Sequence, residues 1–553
     1  MRVFTTSSGR VQCVALTLLV AASGAVAEPL YHESFRPQLH FSPPTQWMND
    51  PNGLVYLDGE YHLFYQYHPY SNRWGPMHWG HAVSHDLIHW EHLPIALYPD
   101  EHGAIFSGSA VYDAENSSGL GSKSQPPLVA IFTYHSHEAE QRGAIDIESQ
   151  GLAYSVDRGR SWKKYSSNPV LANPGLRHFR DPKVFWHAGT RRWIMVLASQ
   201  DHVKFYSSRD LLRWQHESDF GAGWGPQGGI WECPDLFEMP IEGATARRFV
   251  LLSSVNPGAP NGGSGTRYFV GNFDGHRFVP EHRPPQHRSS TSRWLDYGAD
   301  NYASVSWAGV PASDGRRLTL GWMSNWNYAQ DVPTGRWRSA MTLPRKLRLV
   351  RSARGFELIS SPVAELQALR GHSAVLPPGL VSAPTELVDQ QLRSTGQLEI
   401  ELTLSYESAT MLAIRIGNGQ GEHALLRIDR QRGQLELDRS TSGVVGFNAG
   451  FARVQTAPVD VDAPTLTLRM VLDRSSVELF VNDGATVMTS LVFPRAPFDS
   501  IVLSTDRPVR IHSGTVYALD SIWKDVAPLV TEAGKGDPPV DVHKKKHDST
   551  IGE

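Results

Sequence analysis

Between residues 41 and 350 the apolar positions fall in short runs, each broken by Gly, Pro, Asn or Asp. Residues 61–67, 128–134, 193–198, 249–253 and 318–323 are such runs, strand-length and rich in aromatic or β-branched side chains. That composition suits a pleated, half-buried surface. Hardly any long stretch places its apolar residues at helical spacing, so the region predicts an all-β fold. A recurring phrase sharpens this. Ser84-His85-Asp86-Leu87-Ile88-His89-Trp90 returns as Ser208-Arg209-Asp210-Leu211-Leu212-Arg213-Trp214, and Ser155-Val156-Asp157-Arg158-Gly159-Arg160-Ser161-Trp162 is a version longer by one residue. Repeats of about 40–50 residues, each made of several strands, indicate a β-propeller, and these intervals are only a little longer. In a blade, Ser-x-Asp would sit at the turn leaving one strand and the Trp would open the next.

The pattern changes near residue 350. Residues 357–369 carry some helical spacing and predict a short connecting helix within a linker over 351–373. From 374 to 525 apolar and polar residues alternate, as in Leu398-Glu399-Ile400-Glu401-Leu402-Thr403-Leu404 and Ser476-Val477-Glu478-Leu479-Phe480-Val481. Alternation gives each strand one buried and one wet face, which predicts a β-sandwich as a second domain. Asn482-Asp483-Gly484 marks a hairpin. Residues 526–553, with Lys544-Lys545-Lys546 among polar neighbours, read as a disordered tail.

Composition adds three points. The 553 residues include 16 Trp, 18 Tyr and 21 Phe, a supply of flat rings suited to gripping sugar faces. The formal charge of -4 implies no large basic surface, which argues against nucleic acid as a partner. Two cysteines, Cys13 and Cys233, exclude a disulfide scaffold. At the N-terminus Arg2 and Arg10 precede a mostly apolar run over 11–21, and Ala25-Val26-Ala27 offers small residues for cleavage. Residues 1–27 therefore read as a signal peptide cut after Ala27, and a propeller over 36–350 follows. No other segment is long and apolar enough to span a membrane, so the mature chain is expected to be secreted or periplasmic.

Three carboxylates stand out. Asp50 lies in Trp47-Met48-Asn49-Asp50-Pro51-Asn52-Gly53, Asp181 in Arg180-Asp181-Pro182, and Glu232 in Trp231-Glu232-Cys233-Pro234-Asp235. Each precedes a strand or a Pro turn. Each also has a bland reading: an Asx-type turn at Asp50, a local Arg-Asp pair at Asp181, a solvent-facing Glu at residue 232. The innermost strands of a propeller line its central channel, so carboxylates from three blades can converge at one end of it. Paired carboxylates in an aromatic pocket are the equipment of glycoside hydrolysis, one protonating the leaving oxygen and the other attacking or activating water. Apolar neighbours on both sides of Glu232 favour the protonated form a general acid needs. The histidines at 78, 81, 85, 89 and 92 have ligand-like spacing only on a helix, whereas their segment reads as strand, turn, strand. No metal set is read there, Cys233 reads as a buried packing residue, and no cofactor motif is present.

These motifs resemble those of glycoside hydrolase family 32, the β-fructofuranosidases, in order and approximate spacing. Further matching stretches are Phe64-Tyr65-Gln66, the Trp74–His81 block, Phe106-Ser107-Gly108-Ser109, Asp296-Tyr297-Gly298-Ala299-Asp300, Gly321-Trp322-Met323-Ser324-Asn325-Trp326, and the stretch from Trp337-Arg338 to Leu343-Pro344-Arg345. The resemblance spans about 36–525. It implies a five-bladed propeller followed by a β-sandwich and a retaining mechanism. It makes Asp50 the nucleophile, Glu232 the acid and then base, and Asp181 the group that holds fructose hydroxyls and stabilises the transition state. It places Trp47, Asn49, Gln66, Trp74, Phe106, Ser107, Arg180 and Trp322 against the sugar. Arg180 beside Asp181 is expected to keep that carboxylate ionised. The expected activity is release of terminal β-fructosyl units from fructans (levan, inulin) and from sucrose. An invertase with little polymer activity, a transfructosylase, and a non-catalytic carbohydrate-binding propeller are the alternatives.

Overall fold

The computed structural model describes residues 29–224, 229–281, 293–352 and 354–523. The expected signal peptide and the expected disordered tail lie outside these residues. Five antiparallel sheets follow one another along the chain, then two sheets that face each other. The five innermost strands are Gln46–Leu57, Ala104–Tyr112, Arg180–His187, Ile230–Pro240 and Tyr302–Ser306. Each packs against the next, and the first against the fifth. The ring closes where Gln46 and Trp47 pair in parallel with Trp337 and Arg338, and where Ala308 N–H donates to the Leu54 carbonyl at 2.9 Å. Between neighbouring blades lie five apolar clusters, such as Val55, Phe64 and Trp79 of the first blade against Ile105, Ala130 and Phe132 of the second. This is a five-bladed propeller followed by a β-sandwich.

The Ser-x-Asp…Trp phrase recurs at one place in the first three blades. Asp86 and Asp210 accept the backbone N–H groups two and three residues on, at 2.8–3.0 Å, and Asp157 accepts from Ser161 N–H at 2.9 Å. Trp90, Trp162 and Trp214 each immediately precede the outermost strand, Glu91–Leu97, Lys163–Lys164 or Gln215–Phe220. The histidine-rich segment folds as strand His78–Ser84, a turn, and strand Glu91–Leu97.

The linker needs correction. Gly355–Pro362 is no helix but the outer strand of the fifth blade, paired along its length with Arg345–Ser352. Phe356 and Leu358 alternate inward beside Leu347 and Leu349, and this period of two outweighs the helical spacing. Only Ala364–Leu369 is helical, as a 3-10 turn.

In the sandwich, Leu398, Ile400, Leu402 and Leu404 face Leu412, Ile414, Leu426 and Ile428 across one core. Asn482-Asp483-Gly484 turns the chain between Ser476–Val481 and Thr486–Leu491, with all three residues at positive φ. The sandwich docks on the propeller through buried charge. Arg345 donates to Asp296 at 2.9 Å and to Glu478 at 2.8 Å. His40 bridges Asp473 (2.7 Å) and Glu478 (3.1 Å). Arg439 reaches Asp300 at 2.5 Å. Two of the matching sequence blocks, around Asp296–Asp300 and Arg345, therefore serve this interface.

The network sets a pH window for stability. Burial alone would lower the His40 pKa, but Asp473 and Glu478 raise it from 6.5 to about 9. Burial alone would raise Glu478, but Arg345 and His40 hold it at about 2, below its ordinary 4.5. The His40 contribution is complete below pH 6.5 and lost as pH rises towards 9. The Glu478 contribution is complete above pH 4.5 and lost as pH falls towards 2. Calorimetry should find Tm highest between pH 4.5 and 6.5. It should fall by roughly several degrees towards pH 9, a fall that His40→Gln should flatten.

Candidate active site

The three carboxylates, with Asn49, Phe106, Ser107, Arg180 and Tyr302, come from the first few residues of the five innermost strands, and every one of those strands is irregular there. The register shifts between Asn49 and Pro51, Ile105 and Gly108, Arg180 and Lys183, Glu232 and Asp235, and Tyr302 and Val305. Bulges bend a strand and re-aim the residue they carry. In the last three blades a non-glycine residue in the bulge sits at positive φ: Asp181 at 63°, Cys233 at 44° and Ala303 at 54°. Such backbone costs about 1–3 kcal/mol per residue and persists only where the surroundings impose it. At Gly108 the reason for glycine is space, since a Cβ would lie 2.1 Å from the Ile131 carbonyl oxygen.

The bulges turn three carboxylates into one pocket of about 290 Å³, walled by residues from all five blades. The Asp50 Oδ2 atom accepts from Ser107 Oγ at 2.9 Å and lies 3.5 Å from Cys233 Sγ. Its Oδ1 atom has no hydrogen-bond partner among the described residues. Burial pushes the Asp50 carboxyl above its usual range, as does Glu232, while bonds from Asn49 and Ser107 oppose this. Trp47 Nε1 donates to Asn49 Oδ1 at 2.7 Å and so fixes the amide beside the nucleophile candidate. Glu232 is gripped at both oxygens: Arg180 donates to Oε1 at 2.9 and 3.1 Å, and the Tyr302 hydroxyl donates to Oε2. Arg180 is itself held by Glu148 at 3.1 Å and His178 at 2.8 Å.

Asp181 departs from expectation. The Arg180 guanidinium bonds to Glu148 and Glu232, not to its sequence neighbour, because the bulge at Asp181 re-aims that carboxylate although both residues line the pocket. Asp181 accepts instead from Cys233 N–H at 3.0 Å. Burial raises its pKa strongly; the charge of Arg180 opposes this, and Glu232 and Asp50 add to it. A bound sugar hydroxyl donating to Asp181 would favour its charged form.

Asn49, Gln66, Trp74, Phe106, Ser107 and Arg180 all line the pocket. Trp47 and Trp322 do not. Both are fully buried and pack behind the wall, with ring centroids 6.0 and 4.9 Å from Trp326, the ring that does line it. Sequence reasoning missed Trp326, Glu148, His178 and Tyr302. Trp326 and Tyr302 stand in or beside quoted blocks; Glu148 carries no local signal. Cys233 is buried as expected, but it is more than filler. Its Sγ lies 3.5 Å from Asp50 and 3.7 Å from Asp181, spacing the two carboxylates.

Ser107 gives a pH test. Its bond favours the charged form of Asp50, so Ser107→Ala should raise the Asp50 pKa. The acid limb of the kcat/KM profile should then move to higher pH, by about one unit if a single good hydrogen bond is lost.

Residues 40–362 match the glycosyl hydrolases family 32 N-terminal domain, and residues 365–518 match the family's C-terminal domain. The levanase of Bacillus subtilis is 46% identical over 513 residues, covering 92% of this chain and 74% of the levanase. The extracellular exo-inulinase of Aspergillus niger is 38% identical, covering 84% of this chain and 90% of that protein. Among solved structures, the exo-inulinase of Aspergillus awamori superposes with a TM-score of 0.81 at 34% identity, covering 89% of this chain and all of that one. A β-fructofuranosidase of Schwanniomyces occidentalis complexed with fructosyl-erythritol gives 0.75 at 32% identity, covering 88% and 98%. Both domains match the same family in the same order, around a pocket with paired carboxylates: the chain belongs to glycosyl hydrolase family 32 and is a glycoside hydrolase.

Proposed function

We propose that this chain is an exported, retaining exo-β-fructosidase that removes terminal fructosyl units from levan or inulin and also cleaves sucrose. The observation that carries the reading is the pocket itself. It is walled by residues of all five blades, so it admits a chain end rather than the middle of a polymer, and it sets Asp50 beside a clamped Glu232. The Asp50 carboxylate attacks the anomeric carbon while the bond to the glycosidic oxygen breaks, and Glu232 gives its proton to that oxygen. The product is a fructosyl ester of Asp50. Glu232 then takes a proton from water, the water oxygen attacks the same carbon, and Asp50 departs. Asp181 accepts from fructose hydroxyls and offsets positive charge on the ring in the transition state.

The relatives' names support the substrate class: a levanase, exo-inulinases and, at 35% identity, an invertase of Schizosaccharomyces pombe. Export is supported by relatives named extracellular and by the leader-like residues 1–27. Product analysis over time on sucrose, inulin and levan tests the reading. Fructose as the sole early product from both polymers is expected, and their relative rates identify the preferred linkage. A ladder of oligosaccharides would contradict exo action, and activity on sucrose alone would favour an invertase.

A further inference from the structure

A second constellation stands at the rim of the pocket. Strand Leu128–His135 ends at His135, Ser136 caps the short helix His137–Gln141, and His137 and Glu140 share one face of it. His135 Nε2 lies 3.2 Å and His137 Nδ1 3.9 Å from the same oxygen, Oε2 of Glu140. The three ligand atoms all fall within 4.8 Å of one another. On the far side of the His135 ring, Nδ1 lies 3.4 Å from Glu148 Oε1. A carboxylate on the second ring nitrogen fixes the tautomer and aims the other lone pair, the arrangement that supports a metal-bound histidine. The rings are braced: His135 stacks on Phe106 at 4.3 Å, and His137 meets the edge of Trp74 at 5.7 Å. A tetrahedral zinc ion with bonds of about 2.0–2.1 Å holds its ligand atoms roughly 3.4 Å apart, so a ring shift of about 1 Å completes the set. The pocket carries five carboxylates against two arginines, which favours a cation.

We propose that His135, His137 and Glu140 form a site for a divalent transition-metal ion of the zinc type, and that its occupation inhibits the enzyme by filling the space the leaving sugar needs. Two imidazoles and a carboxylate are a zinc ligand set, with water in the remaining position. The same set suits magnesium poorly, since that ion prefers oxygen ligands. His135 and Glu140 face the cavity that holds Asp50 and Glu232, so an ion there excludes the aglycone without touching either carboxylate. Binding is measurable whether or not the pocket hydrolyses fructosides; inhibition also rests on the proposed activity.

The experiment uses full-length untagged protein, stripped with EDTA and returned to chelator-free buffer. Calorimetric titration with zinc chloride should show one saturable site, and magnesium chloride should show none. His137→Ala removes one of three ligands, a half-buried residue of the short helix that does not itself line the pocket, and should weaken zinc binding by at least about tenfold. Glu140→Gln should do the same. With sucrose as substrate, zinc should raise KM severalfold with kcat unchanged, EDTA should reverse this, and His137→Ala should keep its zinc-free activity while losing the inhibition. Absence of saturable zinc binding to the unmodified protein would overturn the site. So would zinc binding that His137→Ala and Glu140→Gln leave unchanged. Zinc binding that is lost in the variants but leaves KM unchanged would overturn the inhibitory role alone.

Discussion

Asp50→Asn is expected to lower kcat on sucrose and on fructans by at least about four orders of magnitude, the scale on which loss of a covalent nucleophile is felt. The amide has nearly the same shape and can still accept from Ser107, so folding and substrate binding should survive. What disappears is the oxygen that the pocket leaves unbonded. Steady-state rates on sucrose, with circular dichroism and Tm as folding controls, check this. Activity within tenfold of the unmodified enzyme would mean that another group attacks. Asp181 is the neighbouring candidate, 3.7 Å from the sulfur that also touches Asp50.

Glu232→Gln has the second large effect, of a different kind. A glutamine cannot give a proton to the leaving oxygen, and general acid catalysis contributes about 10²–10⁴-fold. The loss should therefore depend on the leaving group: severe for sucrose or a fructan, small for an aryl fructoside whose leaving group departs unprotonated. The second step also suffers, because no base remains to activate water, so the fructosyl ester should accumulate. Azide, a nucleophile that needs no base, should restore turnover and yield a fructosyl azide of retained configuration. Equal loss on activated and natural substrates, with no azide effect, would assign Glu232 a binding role instead.

Much of this was legible in the sequence because the informative features are local. Ser-x-Asp…Trp is a complete turn, and its recurrence marks the first three of the five blades. Alternation over 398–404 states which face of the strand is buried. Each carboxylate stands inside a recognisable phrase. What escaped was set by partners from elsewhere in the chain. Glu148 holds Arg180 from a strand whose sequence advertises nothing, and Tyr302 reaches Glu232 from the fifth blade. Arg180 and Asp181 looked like a pair, yet the bulge at Asp181 leaves the arginine on Glu232 and sets Asp181 on the Cys233 amide. Trp47 and Trp322 looked like sugar platforms, yet both are buried to brace Asn49 and Trp326. Residues 357–362 carried two periodicities at once, and pairing with the neighbouring strand selected the shorter one.

The most direct test of the central claim is to look for the covalent intermediate. Glu232→Gln enzyme mixed with an activated aryl fructoside, quenched in acid and digested, should give one peptide heavier by a fructosyl group, and fragmentation should place that group on Asp50. No labelled peptide while aryl alcohol is released in a burst, or a label on any residue other than Asp50, would contradict the account.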